Sequence, residues 1–131
     1  MDNERLAIVS AFDLPGVSVH DTLIDYYGYQ GMRGESLYEL FRTSPVHGPA
    51  RGPKTTHHRM LTEDVPYGLV PLASFAGVVD VPTPIMNAVI STASVVNNTD
   101  YSQTGRTVEN LGLGDKTAVD IRRYVTHGPD I

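Results

Sequence analysis

Residues 57–71 read HHRMLTEDVPYGLVP, and this stretch does most to decide the fold. Thr62 belongs to the residue types that cap helix N-termini, which places Glu63 and Asp64 in a first turn, where the helix dipole favours negative charge. Pro66 is tolerated there because the first amide groups of a helix have no intrahelical acceptor. Apolar residues recur at positions 69, 72, 73 and 76, and Pro71 predicts a kink or division because it donates no hydrogen bond. The stretch therefore predicts a kinked amphipathic helix.

Outward from that helix, apolar spacing and punctuation by proline and glycine predict further helices over 3–12, 18–27, 36–42, 83–96, 105–110 and 116–125. The helix over 83–96 is the most apolar, and we expect it to be central. Its predicted inward face carries Ile85, Val89, Ala93 and Val96, with Met86 and Ile90 beside them. In the last helix Ile121, Tyr124 and Val125 are predicted inward.

Residues 44–56 hold three prolines and two glycines, which predicts an extended loop leading into the central stretch. The tail from Thr126 is expected to be loose. The apolar run over 78–81 is too short to compete as a strand. We therefore predict one compact all-α domain over residues 1–131.

Composition excludes several classes of function. The formal net charge is -5 and the ten lysines and arginines are scattered, which argues against a nucleic-acid partner. Without cysteine there is no disulfide, thiol catalysis or thiolate metal site. No apolar run approaches the roughly 20 residues of a membrane span, and the first four residues are acidic where a signal peptide is basic. These features favour a cytoplasmic protein.

The charged residues of the central stretch suggest a substrate site. The guanidinium of Arg59 suits a carboxylate, which it can bind through two hydrogen bonds, and Asp64 could orient a histidine. The alternative is a surface pairing, in which Glu63 and Asp64 satisfy a helix N-terminus and Arg59 pairs with one of them. His57 and His58 are adjacent and lack the spacing of the helical zinc motif, so no metal is expected. Arg106 could be a second arginine of the site or a surface residue.

The glycine clusters at 28–34 and 111–115 have the wrong spacing and the wrong neighbours for a dinucleotide fingerprint, which needs a strand before it and a helix after it. We therefore expect this chain alone to bind no nucleotide cofactor.

The segment from Arg59 to Pro71 resembles the helical C-terminal domain of the octopine/nopaline-type opine dehydrogenases. Shorter pieces agree in order, namely ERLA at 4–7, SLY at 36–38, GPK at 52–54, VPTP at 81–84, GRT at 105–107 and LGL at 111–113. The resemblance covers nearly the whole chain. It implies a multi-helix domain like that of the 6-phosphogluconate-dehydrogenase-like oxidoreductases.

The resemblance also implies a reaction and roles for residues. Such enzymes condense an amino acid with a 2-oxo acid and reduce the imine with NADH or NADPH. Arg59 would bind a substrate carboxylate, and Asp64 would pair with the catalytic histidine, with His58, Glu63 and Arg106 as supporting residues. In the family that histidine and the Rossmann domain lie upstream of the stretch that begins here at Asn3, and His20 does not take the histidine's place. Met60 stands where an aromatic residue is expected.

Two hypotheses follow. In the first, the chain is the substrate-binding and dimerisation half of an opine-type dehydrogenase, inactive without a separate Rossmann domain or chain, and it leaves an apolar face uncovered. Its partners would be that domain, amino acid and 2-oxo acid substrates, and a second copy held through apolar helices. In the second, it is a stand-alone helical module that binds an amino or keto acid, or associates with itself, without catalysis. A remnant with only a structural role is a third reading.

Overall fold

The computed structural model describes residues 1–128, and within them every regular element is helical. The α-helices are α1 (Asp2–Ala11), α2 (Val19–Tyr27), α3 (Leu37–Thr43), α4 (Arg59–Thr62), α5 (Val70–Val78), α6 (Pro84–Val96), α7 (Tyr101–Thr104) and α8 (Ala118–His127). A 3-10 turn (Gly28–Gln30) follows α2, and a π-helix (Val65–Leu69) precedes α5. The predicted all-α class is confirmed. In this part of the chain no helix is long and apolar enough to cross a membrane.

Helix α1 anchors two other helices through its acidic side chains. The carboxylate of Glu4 accepts hydrogen bonds from the backbone N–H groups of Ile85 and Met86, at 2.8 and 3.0 Å. These are the open donors of the first turn of α6, whose N-cap residue Thr83 makes no side-chain cap. Asp2 likewise accepts from the backbone N–H of Val19 at the start of α2. Residues at the beginning of the chain therefore fix the ends of α2 and α6.

The helical run over 59–78 begins earlier than the sequence predicted. His58 is the N-cap, and its Nδ1 accepts a hydrogen bond from the backbone N–H of Met60. Thr62 lies inside α4 and donates its hydroxyl to the His58 carbonyl, so the prediction of Thr62 as N-cap was wrong. Glu63 and Asp64 consequently lie between α4 and the π-helix, and the dipole argument for a first turn does not apply to them.

The predicted division of this helix is present one turn before Pro71. The backbone N–H of Val70 bonds to the Val65 carbonyl, five residues back, which is π-helical geometry. The next donor in that ladder would be residue 71, and proline has no N–H. The carbonyl of Pro66 is instead satisfied by the backbone N–H of Arg106, at 2.9 Å. Because of Pro71, the Pro66 carbonyl is left as an open acceptor, and the 105–108 segment binds to it through the N–H of Arg106.

Both α5 and α6 contribute residues to each of two apolar clusters. One contains Ile8, Phe12, Ala76, Met86, Val108, Leu113 and Ile121, and the other Val65, Val70, Ile90, Ala93 and Tyr101. Leu69 and Leu72 pack against them, which confirms the predicted inward face of the kinked helix.

The central position of α6 is confirmed, but its predicted inward face is partly wrong. Met86, Ile90 and Ala93 are buried, whereas Ile85 and Val96 are 53% and 49% exposed. The apolar stripe is wider than the area that its neighbours cover. The outer part lines a shallow groove of about 300 Å³ with Leu61, Ala88, Val89 and Thr92.

The last third of the chain departs most from the prediction. Residues 105–110 contain no helix, with a turn only at 108–110, and the short helix lies earlier, at α7, where Asp100 caps it by accepting from Ser102 and Gln103. Helix α8 starts after Thr117, which forms a capping box with Asp120. Of the three residues predicted inward only Ile121 is buried, because Tyr124 and Val125 fall beyond the edge of the cluster. Thr126 and His127 are helical and Gly128 is the C-cap of α8, while residues 129–131 of the predicted tail lie outside the described residues.

The predicted loop over 44–56 contains no helix or strand, and it is held at both ends. At its start the buried Ser44 hydroxyl bonds to His47, whose ring meets Tyr27 and Phe41 edge-on. At its far end the side-chain amide of Asn97 donates to the Thr56 carbonyl at 3.0 Å. This tether positions the residues that lead into α4.

Candidate functional site

The charged stretch borders an open depression at the junction of α4 and the π-helix. Glu63, Asp64, Tyr67 and Gly68 line it, and its volume is about 570 Å³. Glu63 and Tyr67 lie four residues apart and so share one side of the helical run. The irregular π-helix therefore presents a carboxylate pair and an aromatic ring to the same space.

Arg59 reaches this depression through Glu63. Its guanidinium Nη2 lies 3.4 Å from the Glu63 carboxylate, and 71% of the Arg59 side chain and 56% of the Glu63 side chain are exposed. An ion pair this exposed contributes at most about 1 kcal/mol. The surface-pairing alternative is thus realised for Arg59, but the pair is weak enough for a bound carboxylate to replace Glu63.

Asp64 lies at the depression with its side chain exposed. Within residues 1–128 this carboxylate makes no hydrogen bond or ion pair, and it does not cap the π-helix that follows it. The surface alternative, in which Asp64 satisfies a helix N-terminus, is therefore wrong for this residue. Its oxygens are open to a donor from outside the described part of the chain.

The hydrogen bonds of His58 and His20 serve the fold. His58 is occupied as the cap of α4, because its Nδ1 accepts from Met60. His20 lies on α2, where its two ring nitrogens face the Asp21 carboxylate and the Gly34 carbonyl. In the described ranges no group of three or more acidic or histidine side chains could hold a metal ion.

Arg106 joins the site from a distant part of the chain. Its guanidinium carbon lies 5.6 Å from the centre of the Tyr67 ring, a cation–π distance. The residue is exposed, and the ring that it contacts lines the depression, so the two readings of Arg106 are compatible. The sequence analysis missed Tyr67, although its spacing of four from Glu63 was a readable signal.

A comparison with protein families identifies the domain. Residues 1–97 match the model of the NAD/NADP octopine/nopaline dehydrogenase alpha-helical domain. The chain belongs to the octopine/nopaline dehydrogenase family. It is 39% identical over 125 residues to an opine dehydrogenase of Arthrobacter sp. strain 1C, an alignment that covers 95% of this chain and 34% of that protein.

Other opine dehydrogenase family proteins are similar over the same extent. A vitopine synthase of Allorhizobium ampelinum is 36% identical over 114 residues, which is 87% of this chain and 31% of the synthase. The protein ocs of Agrobacterium vitis is 34% identical over 123 residues, 94% of this chain and 34% of that protein. The chain thus spans about a third of the length of the curated relatives it matches, and that third is the helical domain.

The residues described here do not fit a nicotinamide dinucleotide. Such a cofactor is held where a glycine-rich turn joins a strand to a helix N-terminus. Residues 1–128 contain no strand, and the Gly28 cluster follows α2 as a 3-10 turn. The described residues therefore offer no site of the Rossmann type for such a cofactor.

Proposed function

We propose that this domain is the substrate-binding half of an opine-type dehydrogenase, which joins an amino acid to a 2-oxo acid with NAD or NADP. A Rossmann domain or chain would hold the cofactor and supply the catalytic histidine. Alone, this chain is expected to have no dehydrogenase activity. The observation that carries the proposal is the unpartnered Asp64 carboxylate at a depression that Glu63 also lines, with the exposed Arg59 in contact with Glu63.

Arg59 is proposed to bind the carboxylate of a substrate. A guanidinium offers two parallel N–H donors that match a carboxylate in geometry and charge. The existing pair with Glu63 keeps the arginine directed along the helix towards the depression at little cost in free energy. When a substrate carboxylate takes the place of Glu63 beside Arg59, one exposed ion pair is replaced by another that is better shielded from water.

Asp64 is proposed to accept a hydrogen bond from the catalytic histidine of the partner domain. A carboxylate in this position fixes the tautomer of the imidazole and stabilises its charged form, so that the other ring nitrogen can exchange a proton with the substrate oxygen. The absence of an internal partner for Asp64 within residues 1–128 supports this role, because a carboxylate already paired would have to be released first.

The apolar groove on α6 supports a half-enzyme over a self-contained module. Ile85, Val89 and Val96 line it together with Leu61 of α4, two residues from Arg59. Contiguous apolar surface of this kind marks an interface. We assign it to contact with the partner domain, because that contact would also exclude water from the site. Self-association through the apolar helices, and a cytoplasmic location, stay predictions, and sedimentation of the chain alone tests the first.

The decisive experiment joins this domain to the cofactor-binding part of the Arthrobacter relative and follows NADH absorbance with pyruvate and an amino acid. Asp64→Asn should lower kcat by about 10²-fold or more, since general acid–base support contributes on that order. Asp25→Asn, which removes an exposed carboxylate on α2, is the matched control. Equal activity of Asp64→Asn and the control would refute the role of Asp64.

Binding to the isolated chain tests Arg59 separately. Pyruvate or alanine should raise the melting temperature of the wild type, because a ligand that binds only the folded state stabilises it. The same ligands should leave Arg59→Ala unchanged. Stabilisation of both proteins to the same extent would place the carboxylate elsewhere.

A further inference from the structure

Arg106 is held beside Tyr67 by its backbone and not only by its side chain. Its N–H bonds to the Pro66 carbonyl, and the preceding residue, Gly105, packs against Pro66 and Val70 so closely that any side chain would collide. The Asn110 side chain donates to the Gly105 carbonyl and accepts from the Thr107 backbone N–H. Arg106 therefore projects from a fixed platform on the π-helix.

The guanidinium of Arg106 is placed over a ring and left open on its other side. It stacks on Tyr67, a residue lining the depression, and within residues 1–128 it forms no ion pair with a carboxylate. The cation–π contact holds the guanidinium near the ring while its N–H donors stay free. This arrangement suits an anion, because a preoriented fork loses little entropy on binding.

Charge alternates along the contacts from Arg59 to Arg106. Arg59 contacts Glu63, while Glu63 and Asp64 share the depression with Tyr67, which carries Arg106. Arg59 and Tyr67 are eight residues apart, a rise of about 12 Å on a helix. Two cations thus lie at the two ends of a series of contacts that includes the carboxylates and Tyr67.

The product of an opine-type reaction has the complementary pattern. Two carboxylates flank a secondary ammonium group, joined through a carbon–nitrogen–carbon link. On the basis of the proposed function, we propose that Arg106 binds the second carboxylate of the condensed substrate, the one that Arg59 does not hold. Glu63 then faces the ammonium, while Asp64 stays with the histidine, and Arg106 distinguishes two-carboxylate ligands from those with one.

The test compares iminodiacetate with N-methylglycine, which carries the same secondary ammonium and lacks one carboxylate. NMR titration of the full chain gives both dissociation constants, even in the millimolar range. Arg106→Gln should weaken iminodiacetate binding about tenfold, as expected for a lost charge-assisted pair, and change N-methylglycine binding less than about twofold. Arg106→Lys should lie between, because it keeps the charge without the planar fork.

Arg42→Gln is the matched control, since Arg42 stacks on Tyr38 of α3 at 5.8 Å in the same way. It should change neither constant. Arg59→Gln should weaken both ligands. If Arg59→Gln weakens both ligands and Arg106→Gln affects neither, or affects both equally, the inference about Arg106 is overturned while the proposed function stands. If the wild type binds neither ligand, or Arg59→Gln has no effect, both are overturned.

Discussion

Substitution of Gly105 by alanine tests whether the docking of the 105–108 segment on the π-helix is as tight as described. An added Cβ would lie 2.6 Å from the Tyr101 carbonyl oxygen, 2.8 Å from the Pro66 carbonyl oxygen and 2.8 Å from Cγ1 of Val70. Two of these atoms belong to the backbone and cannot swing away. Gly105 has φ -76°, a conformation that alanine adopts freely, so the whole effect is steric.

The magnitude follows from two opposing contributions. Overpacking of a close-packed site costs about 1–3 kcal/mol. Replacement of glycine stabilises by about 0.4–1 kcal/mol through the smaller entropy of the unfolded chain. The net loss should be about 1–2 kcal/mol, which lowers the melting temperature of a domain of this size by roughly 5 °C.

Thermal unfolding measured by circular dichroism gives the change in stability. Hydrogen exchange of the Arg106 amide reports on its bond to the Pro66 carbonyl. Gly77→Ala is the matched control, because Gly77 lies in α5 with no atom near its missing Cβ. It should stabilise the protein by about 0.5–1 kcal/mol. If Gly105→Ala is as stable as Gly77→Ala and Arg106 keeps its exchange protection, the close approach of the two segments is wrong.

Three further predictions concern other parts of the fold. Asn97→Ala should lose the hydrogen bond to the Thr56 carbonyl, cost about 1–3 kcal/mol and speed tryptic cleavage after Arg51 or Lys54; unchanged cleavage would contradict the tether. The hydrogen bond to the Gly34 carbonyl, helped by Asp21, raises the pKa of His20 above 6.5, so its stabilisation is present below that pH and is lost as pH rises through the raised pKa. The melting temperature of His20→Gln should therefore depend less on pH between about 6 and 8, and parallel curves would argue against the contact. Leu40 is fully buried, and Leu40→Ala should cost about 2–5 kcal/mol in urea unfolding, while Leu14→Ala at the surface should be nearly neutral.

Helix positions were predictable where capping residues and apolar spacing agree. Ser18 and Ser36 cap α2 and α3 as their sequence indicates, each accepting from the residue three positions on. The signal failed where a side chain without a known capping preference took the role. His58 caps α4 with its ring nitrogen, and α6 is capped from Glu4, so local sequence could not reveal either start.

The site was predictable only within one stretch of sequence. Arg59, Glu63 and Asp64 could be named because they are neighbours; Glu63 and Asp64 do border one depression, and Arg59 contacts Glu63. The place of Arg106 depends on the Pro66 carbonyl, which lacks a donor because of Pro71. A contact across 40 residues that replaces a missing helical hydrogen bond has no local signature, which is why the sequence left the role of Arg106 open.

The capping of α6 by Glu4 has a consequence for how the domain gains and loses structure. The N–H groups of Ile85 and Met86, in the first turn of α6, bond to Glu4, which lies 81 and 82 positions earlier. That turn is therefore complete only after the chain between Glu4 and α6 has closed into a long loop. Ile8 and Phe12 of the same helix α1 enter the apolar cluster beside Met86. Detachment of α1 therefore removes the cap and part of the core in one step, and we expect α1 and α6 to protect their amides from exchange with a single opening free energy.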